Sequence, residues 1–149
     1  MPVSRAELTH AAQSASGARL TLRHYPSEGH QGRHVHDHTQ LSFLLAGEMQ
    51  ERIGGKAHDV TSPSFCIKPA GTEHEDRWGR TGVLMFSVNF RTSDILVPRD
   101  VGKETWCRAP AGPLAMIIRR VVACAGGDEA DELITDLVAN LHAPAPAEG

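Results

Sequence analysis

The chain has 149 residues, 40% of them hydrophobic and 22% charged, which suits one globular domain with a buried core. Its formal net charge of -3 gives no electrostatic basis for contact with nucleic acid, so we expect no direct binding by this chain. No apolar run approaches the roughly 18 residues of a membrane-spanning helix, and the N-terminus lacks the apolar segment of a secretory signal, so no membrane partner is expected.

The first 98 residues predict an arm followed by strands. Residues 1–18 are polar and alanine-rich without a sustained period, which indicates a frayed arm or an edge element. Apolar and polar residues then alternate with a period of two, as in 20–24 and 82–90, while residues 41–46 are nearly all apolar. A strand covered on both faces has such an apolar run. We therefore predict a β-barrel over residues 19–98.

Turn residues separate these strands. Gly54-Gly55 lies between two short strand segments and predicts a tight hairpin, because glycine accepts positive φ angles. Pro69-Ala70-Gly71 predicts a second turn. Short strands with a turn signal every 8 to 12 residues or so are typical of a sandwich or closed barrel, and no long helix fits in this stretch.

Beyond a linker at residues 99–112 the period becomes helical, and we predict a helical hairpin over 113–142. Gly126-Gly127 should end the first helix, and Asp128 should cap the second. A tail follows at residues 143–149 with the composition of a disordered segment. The apolar stripes are Leu114, Ile117, Ile118, Val121 and Ala125 in the first helix, and Ile134, Leu137, Val138 and Leu141 in the second.

Three cysteines bear on the compartment of the protein. Cys66, Cys107 and Cys124 are widely spaced, odd in number and form no CxxC pair. This pattern indicates neither a disulfide framework nor a thiolate zinc site. Free thiols are typical of a reducing cytoplasm, so we expect a cytoplasmic protein.

Histidines are the most informative residues. There are nine, and four of them crowd into residues 30–38. Because residues two apart on a strand share a face, His34 and His36 should project together, with His38 and Gln40 on that face unless the strand bends. The turn before His74 can return its strand beside the first one. Two imidazoles from one strand and one from its neighbour predict a site for a divalent transition metal.

The histidine pattern resembles the two motifs of the cupin superfamily. HVHDHTQ at residues 34–40, followed by Gly47, is similar to HxHx(3–4)Ex(6)G, and PAGTEH at residues 69–74 is similar to PxGxxH. The resemblance implies a single jelly-roll barrel. It also implies a metal site whose ligands are His34, His36, Gln40 and His74.

The sequence departs from these motifs at three positions, which are Gln40 for the usual glutamate, Pro63 for the first glycine of the second motif, and Trp78 for its closing asparagine. An exposed polar strand end is the alternative interpretation of the clustered histidines. In a different register His38 would replace His34 as a ligand. Nothing in the sequence selects among zinc, iron, nickel and manganese.

Residues 36–78 also resemble the N-terminal sensor domains of AraC-type transcriptional regulators, and the likeness extends through the helical hairpin. In those proteins the hairpin carries dimerisation, so the resemblance implies a homodimer and a small-molecule ligand. It also implies a following pair of helix-turn-helix motifs, which this sequence does not contain. We therefore expect either a fragment of a regulator or a free-standing sensor.

The sequence leaves the function open between two classes. The first is a ligand-sensing cupin domain, and the second is a free-standing metal-dependent cupin enzyme of the oxygenase, isomerase or cyclase type. Whether the protein is an enzyme is uncertain at this point, because a fold of this class hosts both roles. The candidate ligand-binding residues are His24, His38, Arg23 and Trp78. Of the arginines, Arg23, Arg33 and Arg52 either meet an anionic ligand at the barrel mouth or are solvated.

Overall fold

The computed structural model describes residues 7–91, 103–109 and 111–141, and within them eight strands precede two helices. The predicted parts that lie outside the described residues are 1–6 of the arm, 92–98 of the barrel, 99–102 and 110 of the linker, 142 of the hairpin and the tail, and the side chains of Ala111, Pro113 and Leu114 also lie outside them. The elements are β1 (Glu7–Gln13), β2 (Arg19–Tyr25), β3 (His30–Val35), β4 (Thr39–Ile53), β5 (Lys56–Thr61), β6 (Ser64–Lys68), β7 (Glu73–Phe90), β8 (Cys107–Arg108), α1 (Ala111–Ala123) and α2 (Gly127–Ala139).

Two long strands, β4 and β7, build both walls of the barrel. The first half of β4 pairs with the second half of β7, and both belong to a first wall with the strand order β1-β2-β7-β4-β6-β8. The second half of β4 pairs with β5, and the first half of β7 pairs with β3, which forms the second wall. All these pairs are antiparallel. The predicted single β-barrel followed by two C-terminal helices is confirmed.

A bend at Gly47 turns β4 from one wall into the other. The register between β4 and β7 shifts on both sides of this glycine. Gly47 has a φ of 89°, and a Cβ there would collide with the carbonyl oxygen of Gly82 on β7. Only glycine fits this crossing, which gives the motif glycine a steric reason.

The larger core lies between the outer face of the first wall and the helices. Alternate residues of β2 and β7, such as Leu22, Phe86 and Val88, pack there against Leu133 and Leu137 of α2. The alternating pattern predicted for residues 82–90 is therefore present. A smaller apolar cluster lies between the two walls and consists of Leu44, Met49, Val60, Trp78, Val83 and Met85, with Tyr25 and Trp106 against it.

The helical hairpin docks on the edge strand. His10 of β1 contacts the carbonyl oxygen of Cys124 at 3.2 Å, and the amide of Ala15 donates to the carbonyl oxygen of Gly127 at 3.0 Å. Of the two alternatives for the N-terminal segment, a frayed arm or an edge element, residues 7–13 form the edge element. The capping expectation for Asp128 is wrong, because α2 begins at Gly127 with Gly126 as N-cap, and Asp128 lies in its first turn.

The predicted stripe of the second helix is buried within the monomer. Ile134, Leu137 and Leu141 are buried, and Val138 packs against the same core. In α1, Val121 is buried whereas Ala125, after the helix, is exposed. The stripes therefore cover the barrel and leave little apolar surface on α2 for a second chain.

No helix in the described ranges combines the length and apolar character needed to cross a bilayer. The three cysteines are free thiols and are buried.

Candidate functional site

Three histidines meet on the inner side of the second wall. His34 of β3 pairs in register with His74 of β7, and His36 follows two residues after His34. The ring centroids lie 4.0 Å apart for His34 and His74, 4.8 Å for His34 and His36, and 5.3 Å for His36 and His74. One ligand atom from each ring lies within 4.8 Å of the other two. The strand pairing thus brings together the three histidines that the sequence singled out.

Hydrogen bonding sets which nitrogen of His34 faces this cluster. Its Nδ1 lies 2.8 Å from the carbonyl oxygen of Gly32, and because a carbonyl only accepts, Nδ1 carries the proton. The lone pair is then on Nε2. Among the described residues, Nε2 of His34 and Nε2 of His74 are buried nitrogens without a hydrogen-bond partner. Buried polar atoms of this kind need an explanation, and a bound ion is one.

Burial keeps two of the three imidazoles neutral. It lowers the pKa of His36 to about 4, with the neighbouring imidazoles of His34 and His74 adding to the effect. Burial also lowers the pKa of His34, although its hydrogen bond to Gly32 opposes this. A metal ion competes with protons for imidazole nitrogens, so a lowered pKa favours metal binding at neutral pH.

A buried charge cluster lies behind His74. Oε2 of Glu51 lies 2.9 Å from Nζ of Lys68 and 3.3 Å from Nδ1 of His74, and Oδ2 of Asp76 lies 3.4 Å from the same Nδ1. The two contacts to Nδ1 have the distance of ion pairs without hydrogen-bond alignment. The indole Nε1 of Trp106 donates to Oε1 of Glu51 at 2.9 Å. Carboxylates at Nδ1 orient an imidazole and leave Nε2 for a ligand.

The pKa values of the two carboxyl groups in this cluster shift in opposite directions. Burial raises the pKa of Glu51, but the ammonium of Lys68 together with the contacts to Asp76 and His74 outweighs it and holds the pKa below its ordinary value. Burial and the neighbouring Glu51 raise the pKa of Asp76 to about 7. For His74, burial lowers the pKa, and the carboxyl groups of Asp76 and Glu51 outweigh it and leave it raised. Glu51 is thus the ionised partner that compensates Lys68.

Gln40 and His38 share one acceptor on the first wall. Nε2 of Gln40 donates to Oδ1 of Asn89 at 2.9 Å, and Nε2 of His38 contacts the same oxygen at 2.9 Å. The other ring nitrogen of His38 lies 3.1 Å from Oδ1 of Asp37. Both nitrogens of His38 are therefore engaged, and the alternative register in which His38 replaces His34 has no support.

A cavity of about 540 Å³ opens beside the histidines. This volume is in the range of small-molecule sites, roughly 300–1,000 Å³. His36, His38 and Gln40 line one side of it, and the inward residues of β2 line the other. The residues from β2 are Arg19, Thr21, Arg23 and Tyr25. The remaining lining residues are Gly17, Asp37, Ser87, Asn89, Phe90 and Arg91.

The predicted ligand-binding residues divide between the cavity and other places. Arg23 and His38 line it. His24 is exposed and alternates with Arg23, so it points away and is not among the lining residues. Trp78 does not line the cavity and is buried in the apolar cluster between the walls, with its ring centroid 4.3 Å from that of the lining residue Tyr25.

Two other candidate arginines are engaged elsewhere. Arg33 pairs with the exposed Glu73 at 3.3 Å, and Arg52 pairs with Glu75 at 3.4 Å. Neither lines the cavity.

Sequence reasoning missed Glu51, Lys68 and Asp76. A signal existed, because Glu51 alternates inward with Met49 and Ile53, and Asp76 is two residues after His74 on the same strand. Charged residues at inward positions of a strand mark functional or structural ion networks.

The donor set fits a divalent transition metal. Three imidazoles, two of them with unpartnered Nε2 atoms, are ligands that suit zinc, iron or nickel, and the amide oxygen of Gln40 would be a neutral fourth donor. Glu51, His74 and Asp76 form a second group with metal-ligand distances. Its carboxylate charge already faces Lys68, so the three-histidine group fits better.

The chain matches one protein family over most of its length. The family described as the AraC-like ligand binding domain matches residues 17–141. This range contains both the barrel and the helical hairpin. No curated protein sequence matches the chain at a significant level.

Solved cupin structures share the fold. A cupin superfamily protein from Desulfitobacterium hafniense has a TM-score of 0.51 and 16% identity, over 60% of this chain and 81% of its own. The cupin domain of Schizosaccharomyces pombe Cnp3 has a TM-score of 0.53 and 12% identity, over 62% and 69%. The DMSP lyase DddQ from Ruegeria pomeroyi has a TM-score of 0.51 and 13% identity, and the match covers 63% of this chain and 50% of the lyase chain. At these identities the likeness shows the fold alone.

Proposed function

The chain belongs to the AraC-like ligand binding domain family, and from that we propose that it senses a small molecule in a cupin barrel that holds a divalent transition metal. One observation carries the metal proposal. Nε2 of His34 and Nε2 of His74 are buried without a hydrogen-bond partner beside His36, at the edge of a cavity of ligand size. Small-molecule binding is what the family implies.

In this proposal His34, His36 and His74 hold the metal, and Gln40 supplies a neutral oxygen donor. A metal bound there would supply a Lewis acid for an oxygen-bearing ligand. Glu51 and Asp76 would act on the site through their charge next to Nδ1 of His74. The neutral donors leave the double charge of the ion uncompensated, so a ligand with negative charge would be favoured next to it.

The test of the metal proposal is uptake of metal by purified protein. We expect close to one zinc, iron, nickel or manganese ion per chain by elemental analysis after reconstitution and removal of free metal. His74→Ala should abolish uptake, because it removes one of three imidazole donors.

The matched control is His24→Ala, which removes an imidazole that is exposed and points away from the cavity. It should leave uptake unchanged. Protein that takes up no metal, or a His74→Ala variant that binds as the unmodified chain does, contradicts the proposal.

Replacing Gln40 by glutamate, the usual residue of the cupin motif, tests whether Gln40 is a metal ligand. Gln40→Glu should tighten metal binding in competition with a chelator, because a carboxylate neutralises one of the two charges of the ion. Gln40→Leu, of similar size and without a donor, serves as the opposite control. Equal or weaker binding by the glutamate variant would show that Gln40 is a cavity wall held by Asn89 and is not a ligand.

A second candidate function is a metal-dependent cupin enzyme. The observation that favours it is the buried pair of Glu51 and Asp76 beside His74, since carboxyl groups with separated pKa values are suited to proton transfer. A small molecule recovered unchanged from the metal-loaded protein supports the sensor. His74-dependent conversion of that molecule supports the enzyme.

The homodimer and the cytoplasm remain proposals. Among the described residues the exposed large apolar side chains are Met116 and Val122 of α1 together with Leu8 and Val35 of the strands, and we propose the α1 surface for a dimer because the hairpin carries dimerisation in the resembling regulators. Met116 also borders a groove of about 170 Å³ between the helices. The buried free thiols of Cys66, Cys107 and Cys124 support a reducing compartment.

A further inference from the structure

Three arginines line the cavity beside the histidines. Arg19 and Arg23 lie four residues apart on β2 and share its inward face with Tyr25, and Arg91 follows β7 directly. The one carboxylate in the lining belongs to Asp37, whose side chain is fully exposed and contacts His38. The lining therefore carries three guanidinium groups against one carboxylate, in a chain whose net charge is -3.

These guanidinium groups have no carboxylate partner among the described residues, which is also true of Arg77, Arg80, Arg108 and Arg119 but not of three other arginines. Arg33, Arg52 and Arg120 each lie within 4.0 Å of a glutamate or aspartate oxygen. Among the described residues, no carboxylate lies that close to the three arginines of the cavity. Like charges that converge without counter-charges in a concave site raise the local concentration of anions.

The side chain of Arg91 packs against a glycine. Gly17, in the turn between β1 and β2, lacks the Cβ that would lie 2.9 Å from Cδ of Arg91. The arginine stem can therefore cross the turn and bring its guanidinium group to the cavity that Gly17 also lines. This packing places positive charge at the rim from β7 as well as from β2.

The rest of the wall suits an organic body. The ring of Tyr25 packs on Trp78 and Phe90 is close by, while Thr21 and Ser87 add hydroxyl groups. A guanidinium fork binds carboxylate or phosphate oxygens in a bidentate manner. Aromatic rings next to such a fork accept the carbon skeleton of the ligand.

We propose that the cavity binds a small organic oxyanion, a carboxylate or phosphate ester, through Arg23 with Arg19 and Arg91 at its rim. This names the ligand class of the sensing function proposed above and rests on that function for its biological role. The binding itself depends on the arginines and is independent of the metal.

The test is a calorimetric titration of the full chain after metal removal by chelator dialysis, with benzoate, phenyl phosphate and neutral benzamide as probes. We expect benzoate or phenyl phosphate to bind, and benzamide to bind at least about tenfold more weakly, because it offers no charge to the guanidinium groups. Arg23→Gln should weaken oxyanion binding by about tenfold or more. The two anionic probes distinguish a carboxylate from a phosphate.

Two further variants keep the result decisive. Arg91→Gln, at an exposed position, repeats the test if Arg23→Gln does not fold. Arg119→Gln removes an exposed arginine of α1 and should leave binding unchanged. Equal binding of benzoate and benzamide, no binding of either anion in the millimolar range, or no loss in the arginine variants that fold overturns the proposal. Since the protein is metal-free, failure of the metal site leaves these results interpretable.

Discussion

Replacing Lys68 by methionine is expected to destabilise the fold by about 3–5 kcal/mol, the cost of leaving a buried charge without its partner. The side chain of Lys68 is 6% exposed, and its Nζ lies 2.9 Å and 3.2 Å from the two carboxylate oxygens of Glu51, which is itself 1% exposed. Methionine fills the space of the lysine stem but offers no charge. Glu51 must then be buried as an uncompensated carboxylate or take up a proton.

The pH dependence of this loss follows from the direction of the pKa shift. Lys68 holds the pKa of Glu51 below its ordinary value in the folded protein, so the stability it contributes is present above the unfolded pKa and lost on acidification. In Lys68→Met that contribution is absent. The difference in stability between variant and unmodified chain should therefore begin to shrink at the ordinary pKa of glutamic acid and continue to shrink as the pH falls towards the lower folded-state pKa.

Urea denaturation at neutral and acidic pH measures both effects. The matched control is the double variant Glu51→Gln with Lys68→Met, which removes both charges and should recover a large part of the loss. A single variant that loses less than about 1 kcal/mol, the typical value of an exposed pair, would show that the pair is hydrated in solution.

Leu137→Glu is expected to destabilise the protein by about 4 kcal/mol or more, through the loss of a core leucine and the burial of a carboxylate. Leu137 is 2% exposed and belongs to the core between α2 and the first wall. The family resemblance implies dimerisation through the helical hairpin, and in such a dimer the apolar stripe that contains Leu137 would lie between two chains. The structure instead assigns it to the monomer, so the substitution should unfold the helices from the barrel.

Met116→Glu is the matched control, because Met116 is 67% exposed on α1. Its stability should stay within about 0.5 kcal/mol of that of the unmodified chain. Circular dichroism during thermal unfolding measures both variants. Sedimentation of the same samples tests the proposed dimer, since a dimer through α1 should dissociate in Met116→Glu while the fold remains. A folded Leu137→Glu chain of near-normal stability would contradict this assignment of the core.

The fold was accessible to sequence reasoning because its signals are local. Alternation over residues 20–24 and 82–90 identifies strands whose outward residues form the helix-facing core. Histidine spacing and the turn at residues 69–71 identify His34, His36 and His74, which strand pairing brings together. Each inference needed only the period of a strand and the direction of one turn.

What escaped prediction depends on contacts distant in sequence. Glu51 and Lys68 are 17 residues apart, and nothing local distinguishes a charge that meets its partner across the barrel from one in water. His24 was expected to bind ligand but points away from the cavity. Alternation tells which residues of a strand share a face but not which face lies inside the barrel. Leu137 was misjudged since an apolar helix stripe has the same pattern whether it covers a barrel or a second chain.

The first wall is a single layer of peptide between the cavity and the helices. Arg23 and Asn89 face the cavity, while Leu22 and Val88, their immediate neighbours, face the helical core. A strand has no thickness in which to absorb a displacement, and the core behind it is close-packed. A strand shift that accommodated a ligand in the cavity would therefore displace the residues on which α2 packs, so binding there would reach the helical surface across a single layer of backbone.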